Sequence, residues 1–159
     1  MALHKLLIDE FDEIDYRLIA IHTSLEEYRL AFLINQKLRV LLNRCPENIQ
    51  ITAKTGSASL SRYVYDDENS NITWNLLQNK SDIFKPNTTG LDLFSGVEAR
   101  VSSNAYLIPE HKKVDFFLQL QNTNEIPDFI TPALQQIPQV TMTYSIDIST
   151  IKSRNNLIF

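Results

Sequence analysis

The run YRLIAIHT at Tyr16–Thr23 is apolar and β-branched, and it gives way at once to Ser24-Leu25-Glu26-Glu27. A run of that kind predicts a buried strand, and Thr23 or Ser24 followed three residues on by Glu26 or Glu27 predicts a capping box on the first turn of a helix. A strand should therefore hand over to a helix at this junction. In the segment Leu25–Leu38, Leu25, Tyr28, Ala31 and Phe32 share one stripe, which Leu33, Ile34 and Leu38 broaden into the wide apolar face of a helix laid on a sheet. Arg39–Arg44 then predicts a returning strand. The first third is thus expected to be a β-α-β unit with parallel strands and a right-handed crossover.

Beyond it, Ile49–Thr52 predicts an extended segment, and Gly56 with Ser57, Ser59 and Ser61 predicts a turn. Leu60–Tyr65 and Ile72–Leu77 predict a hairpin joined through Asp66–Asn71. Residues 78–98 predict a long connection with isolated anchors at Phe84, Leu91, Leu93 and Phe94. In Val114–Leu120, Val114, Phe116, Leu118 and Leu120 alternate against Asp115, Phe117, Gln119 and Gln121, the period of a half-buried strand. A short helix over Asp128–Ile137, bounded by Pro127, Pro132 and Pro138, leads to a strand at Val140–Ile148. Ser149–Phe159 is a loose tail in this reading, with an apolar Leu157-Ile158-Phe159 that can dock. The expected fold is one α+β domain over residues 1–159: two helices packed on one face of a mixed, mostly antiparallel sheet. It is ferredoxin-like or ACT-like, with β-α-β halves and a hairpin and long loop inserted between them.

Composition narrows the function classes more than it selects one. The 159 residues are 43% hydrophobic, enough for a single core. The three glycines, Gly56, Gly90 and Gly96, stand too far apart for a dinucleotide or P-loop phosphate cradle, so no nucleotide cofactor is expected. One cysteine, Cys45, and the absence of a secretory pattern in MALHKLLIDEFDE predict a cytoplasmic location. A net charge of -4 with scattered basic residues argues against nucleic acid and anionic lipid. Apolar runs are far shorter than the ~20 residues of a membrane span.

At Ile108-Pro109-Glu110-His111-Lys112-Lys113-Val114-Asp115-Phe116 the sequence resembles the motif of the IPExxVDY family of small, uncharacterised bacterial proteins. The block DYRLIAIHTSLEEYRLAFLIN at Asp15–Asn35 also looks like that family, and the resemblance covers most of the chain. Phe116 departs from it, standing where the family name has Tyr, which favours a packing role for the ring. The resemblance implies no chemistry, since the family is named after a string. Physically the motif is a turn feeding a strand, with Pro109 setting the bend and Val114 and Phe116 entering the core. Glu110, His111 and Asp115 either form a polar site beside the turn or belong to a structural turn with one carboxylate satisfied by backbone amides or Lys113.

The three histidines, His4, His22 and His111, lack any second ligand at metal spacing, and no metal site is expected. His22 either faces a pocket at the carboxyl end of the sheet or bonds a loop carbonyl. Five carboxylates between Asp9 and Asp15 lack the spacing and glycine of a calcium loop and read as a solvated or partner-facing edge. No nucleophile motif surrounds Cys45 or any serine. The leading expectation is a non-catalytic module acting through protein contacts, including self-association through a sheet edge or the free sheet face. Its interface residues would be Tyr63, Tyr65, Trp74, Phe117 and the Leu157–Phe159 end. The alternative is an ACT-like small-molecule-binding domain with a pocket formed by His22, Ser24, Glu110, His111 and Asp115, an anion resting on helix amides. A third reading is an enzyme pairing His22 with Asp115 or Glu110.

Overall fold

The computed structural model describes residues 15–83 and 103–159. The acidic stretch before Asp15, His4 and the anchors expected at Phe84, Leu91, Leu93 and Phe94 lie outside the described residues. The elements run β1 (Tyr16–Thr23), α1 (Glu27–Leu38), β2 (Asn43–Arg44), β3 (Ile49–Ala53), β4 (Gly56–Leu60), β5 (Arg62–Asp67), β6 (Ile72–Gln78), β7 (Lys80–Asp82), β8 (Asn104–Tyr106), β9 (Phe116–Gln121), α2 (Ile130–Gln135) and β10 (Val140–Ile146). Six of the strands form one sheet in the order β10-β1-β9-β6-β5-β2, and every recorded pairing in it is antiparallel. The molecule is the expected α+β fold with two helices.

The order explains how helices return in an antiparallel sheet. β1 and β6 point the same way with β9 between them, and β9 and β10 point the same way with β1 between them. Joined by α1 and α2 respectively, these are two interleaved split β-α-β units, the ferredoxin-like arrangement. The first return strand is β6 and not Arg39–Arg44. In that segment Val40 and Leu42 are buried, but the Asn35 side chain bonds both the N–H and the C=O of Leu42, at 2.8 and 3.1 Å, in place of a neighbouring strand. Only Asn43 and Arg44 pair, antiparallel to β5 at the far edge. β2–β5 therefore lie within the first unit, and only β7 and β8 fall between the halves.

The junction after β1 also differs from the expected capping box. The Thr23 hydroxyl accepts from the Leu25 N–H at 3.1 Å and donates to the Gln139 carbonyl at 2.8 Å, so it is spent on a turn and on tying the end of β1 to the start of β10. Glu26 becomes the N-cap, with no side-chain bond, and Ser24 is exposed. The buried stripe of α1 is Leu30, Ala31 and Ile34, while Tyr28 and Phe32 face outward. Gly56–Ser61 is a strand followed by a single step, with β3 and β4 forming a hairpin that turns at Lys54-Thr55.

Both faces of the sheet are covered. On one, Ile19, Ile21, Trp74, Leu76, Phe116, Leu118 and Leu120 meet Leu30 and Ile34 of α1 and Ile130 and Leu134 of α2. On the other, Leu18, Ala20, Leu77 and Phe117 meet Leu107, Ile108 and Val114 together with Ile148, Ile151 and Leu157 from the C-terminal segment. That segment is a strap, with Leu157 only 2% exposed. Each such large side chain contributes about 1.5–3 kcal/mol through the water it leaves. Across β1, β9 and β6 neither face of the sheet is open to a partner among the described residues. β9 is buried on both sides from Phe116 to Leu120, Gln119 included, and not half-buried as its alternation predicts, because both faces of the sheet are covered there.

Candidate functional site

The aromatic residues expected at an interface are core. Tyr63, Trp74 and Phe117 are buried, and Tyr65 is half-buried against the same helices. Tyr65 stands opposite Trp74 and Tyr63 opposite Leu76 across β5 and β6, so the hairpin presents its rings inward to α1. Burial first, and then the negative charge of Glu27, raise the Tyr63 phenol above its ordinary value, against the opposing pull of Arg44.

The five residues expected to line a ligand pocket go to separate partners. His22 Nε2 lies 3.1 Å from the Tyr144 hydroxyl, with the two rings 5.6 Å apart on the edge of the sheet. Asp115 Oδ2 accepts from the Thr23 N–H at 2.9 Å, closing the end of β1. Glu110 Oε1 accepts from the N–H groups of Lys152 and Ser153, each at 3.1 Å, and both its oxygens accept from the Ser153 hydroxyl. Burial acts to raise the Glu110 pKa, but its own amide, the Ser153 hydroxyl and those two amides outweigh it and hold the carboxyl below its ordinary range. His111 sets its ring 6.4 Å from Phe117, edge to face, and Ser24 faces solvent.

The motif is therefore a staple. Ile108 and Val114 are buried, Pro109–His111 is a single 3-10 turn, Glu110 clips the strap, and Asp115 ties the turn to β1. A cleft of about 230 Å³ does open at the carboxyl end of β1, lined by Glu26, Glu27, Lys80 and Asp115 among others, but His22, Glu110 and His111 do not line it. It is smaller than ordinary ligand pockets, and two glutamates at the start of α1 oppose an anion there. A wider cleft of about 410 Å³, between β3 and β8 and beside Pro109, carries Lys112 and Asn156 but no second charged group. Among the described residues no group of three or more His, Cys, Asp or Glu side chains could hold a metal ion. Cys45 is a half-buried free thiol. No helix is long and apolar enough to cross a membrane.

Sequence reasoning finds the strand at Val140–Ile148 and names a sheet edge as an interface, but misses that β10 is the outer strand. β10 ends the sheet, so its outward N–H and C=O groups have no strand partner among the described residues. Natural edges carry Lys, Pro, bulges or short strands to prevent pairing. The opposite edge, β2, is two residues long and includes Arg44. β10 is seven residues, VTMTYSI, with no charge and no proline. Its one defence is a register shift opposite His22 and Thr23 that leaves Thr141 unpaired. Met142–Ile146 is regular, and Met142 and Tyr144 stand 55% and 37% exposed. The signal was an uncharged stretch between Gln139 and Asp147 in a chain of which 21% is charged.

Comparison with protein-family models, curated proteins and solved structures finds no match to this chain. The likeness of Ile108–Phe116 to the IPExxVDY motif rests on its own residues.

Proposed function

We propose that this chain is a non-catalytic cytoplasmic module that works through protein contacts, its working element the β10 edge, which takes an added extended strand. The observation that carries the reading is the uncharged strand Val140–Ile146, which has no outer strand partner among the described residues, at the end of a sheet whose centre is covered on both faces. The two carboxylates that such an enzyme or ACT-like pocket would need, Asp115 and Glu110, are committed to backbone amides of separate segments, which speaks against both. The test is a photo-reactive p-benzoylphenylalanine placed at Ser145, exposed on β10, in cells that make the protein, with Arg44 on the opposite edge as control. Protein adducts from Ser145, mapped by mass spectrometry and lost when Met142→Lys is added, are expected. Adducts from Ser145 no more abundant than from Arg44 would overturn the reading.

A further inference from the structure

We propose that the strand added at this edge is β10 of a second copy, paired antiparallel about a two-fold axis that passes through Thr143. The inference rests on the edge reading above and names its partner. An axis perpendicular to the sheet keeps the helix layers of both copies on one side, and it sets residues symmetrically about the residue on the axis. With Thr143 at the centre, Met142 stands opposite the second copy's Tyr144, twice.

That register covers what the free strand leaves open. Met142 and Tyr144 share the face of the sheet away from the helices, and each is too exposed for its size. Laid together they make two thioether–aromatic contacts. His22 already bonds the Tyr144 hydroxyl, so the ring is held in place before a partner arrives. A register centred on Tyr144 would instead set Met142 opposite Ile146, which the strap already buries to 8% exposure, and would leave the apolar pair unmatched. On the helix side Thr143 is already buried within each chain, so it stands on the axis opposite its own copy without adding exposed surface there. No charge on Val140–Ile146 opposes its equivalent, and the two-residue β2 edge cannot extend the assembly, so the pairing closes at two copies.

The full chain is measured by size-exclusion chromatography with light scattering over a concentration series, where twice the 18.3 kDa chain mass is expected at the upper end. Met142→Lys/Tyr144→Lys and Met142→Glu/Tyr144→Glu each place like charges opposite one another. Each should raise the dissociation constant by roughly tenfold or more at low salt. Mixing the two variants restores the dimer, which shows that both are folded and complementary. In a Cys45→Ser background, Met142→Cys cross-links to Tyr144→Cys in a mixture and not to itself. A wild-type monomer at every attainable concentration, or charge variants that dimerise as well as wild type, would overturn the self-pairing. Self-linking of Tyr144→Cys would overturn the Thr143-centred register. Should the wild type stay monomeric while Ser145 still gives protein adducts, only the identity of the partner fails and the edge reading stands.

Discussion

Asn79 is fully buried, and its side chain organises the motif turn from below. Its Nδ2 donates to the carbonyls of His111 and Val114, at 2.9 and 2.8 Å, and its Oδ1 accepts from the Ile108 N–H at 3.0 Å. Removing the amide leaves the buried Ile108 N–H and Val114 carbonyl without a partner among the described residues and takes from the His111 carbonyl one of its two bonds, so Asn79→Ala should cost about 3 kcal/mol in urea unfolding. Asn79→Asp keeps the volume but turns two donors into a carboxylate facing two carbonyls, and it should cost at least as much. If Asn79→Asp proves milder than Asn79→Ala, the amide is not the donor assigned here. Glu110 acts on the same turn from the surface. Its carboxyl is held below the ordinary 4.5, so its contribution is present above the unfolded-state value and is lost as pH falls through the lower folded value. Exchange of the Lys152 and Ser153 amides should accelerate, relative to intrinsic rates, only below pH about 4.5. In Glu110→Gln that acid step should vanish.

At the scale of elements, α1 ends on Arg39 in the left-handed region, at φ 54° and ψ 41°. A residue with a Cβ is costly there and glycine is not, so Arg39→Gly should raise stability by about 0.5–1 kcal/mol although it touches no core residue. A thermal melt that falls instead would mean the exposed guanidinium matters more than the backbone. The elements legible in the sequence were those whose hydrogen-bonding partners match their pattern: β1, the β5–β6 hairpin, β9, α2 between its prolines, and β10. Those misread had a local competitor that pattern alone does not weigh. Asn35 replaces a strand for Leu42, Thr23 spends its hydroxyl on Gln139 and not on a cap, and Tyr28 and Phe32 lie on the outer face of α1 beside a narrower buried stripe. The candidate site was misread for a related reason. Carboxylates beside a turn look alike in sequence whether they meet a ligand or a backbone amide, and Glu110 and Asp115 meet amides from segments 42 and 92 positions away.

Across the whole molecule, the sheet is a shared wall between two cores, the helix side centred on Leu118 and the strap side on Phe117. Adjacent β9 residues point into opposite cores, so neither core can loosen without disturbing the strand that anchors the other. The chain's one tryptophan, Trp74, lies on the helix side and reports that core alone. Leu157→Ala, on the strap side, removes a side chain that is 2% exposed and should cost about 2–4 kcal/mol. If the two cores unfold as one, that loss must appear in full in the urea midpoint of Trp74 fluorescence, with an unchanged slope. A Trp74 transition that stays at the wild-type midpoint, while Leu107 and Ile108 amides lose protection from exchange, would mean that the strap opens alone. β10 borders both cores, sending Ile146 beneath the strap and Val140 against the helices. Under cooperative unfolding, pairing of two such edges should therefore raise the Trp74 midpoint with protein concentration, and Met142→Lys/Tyr144→Lys should abolish that dependence.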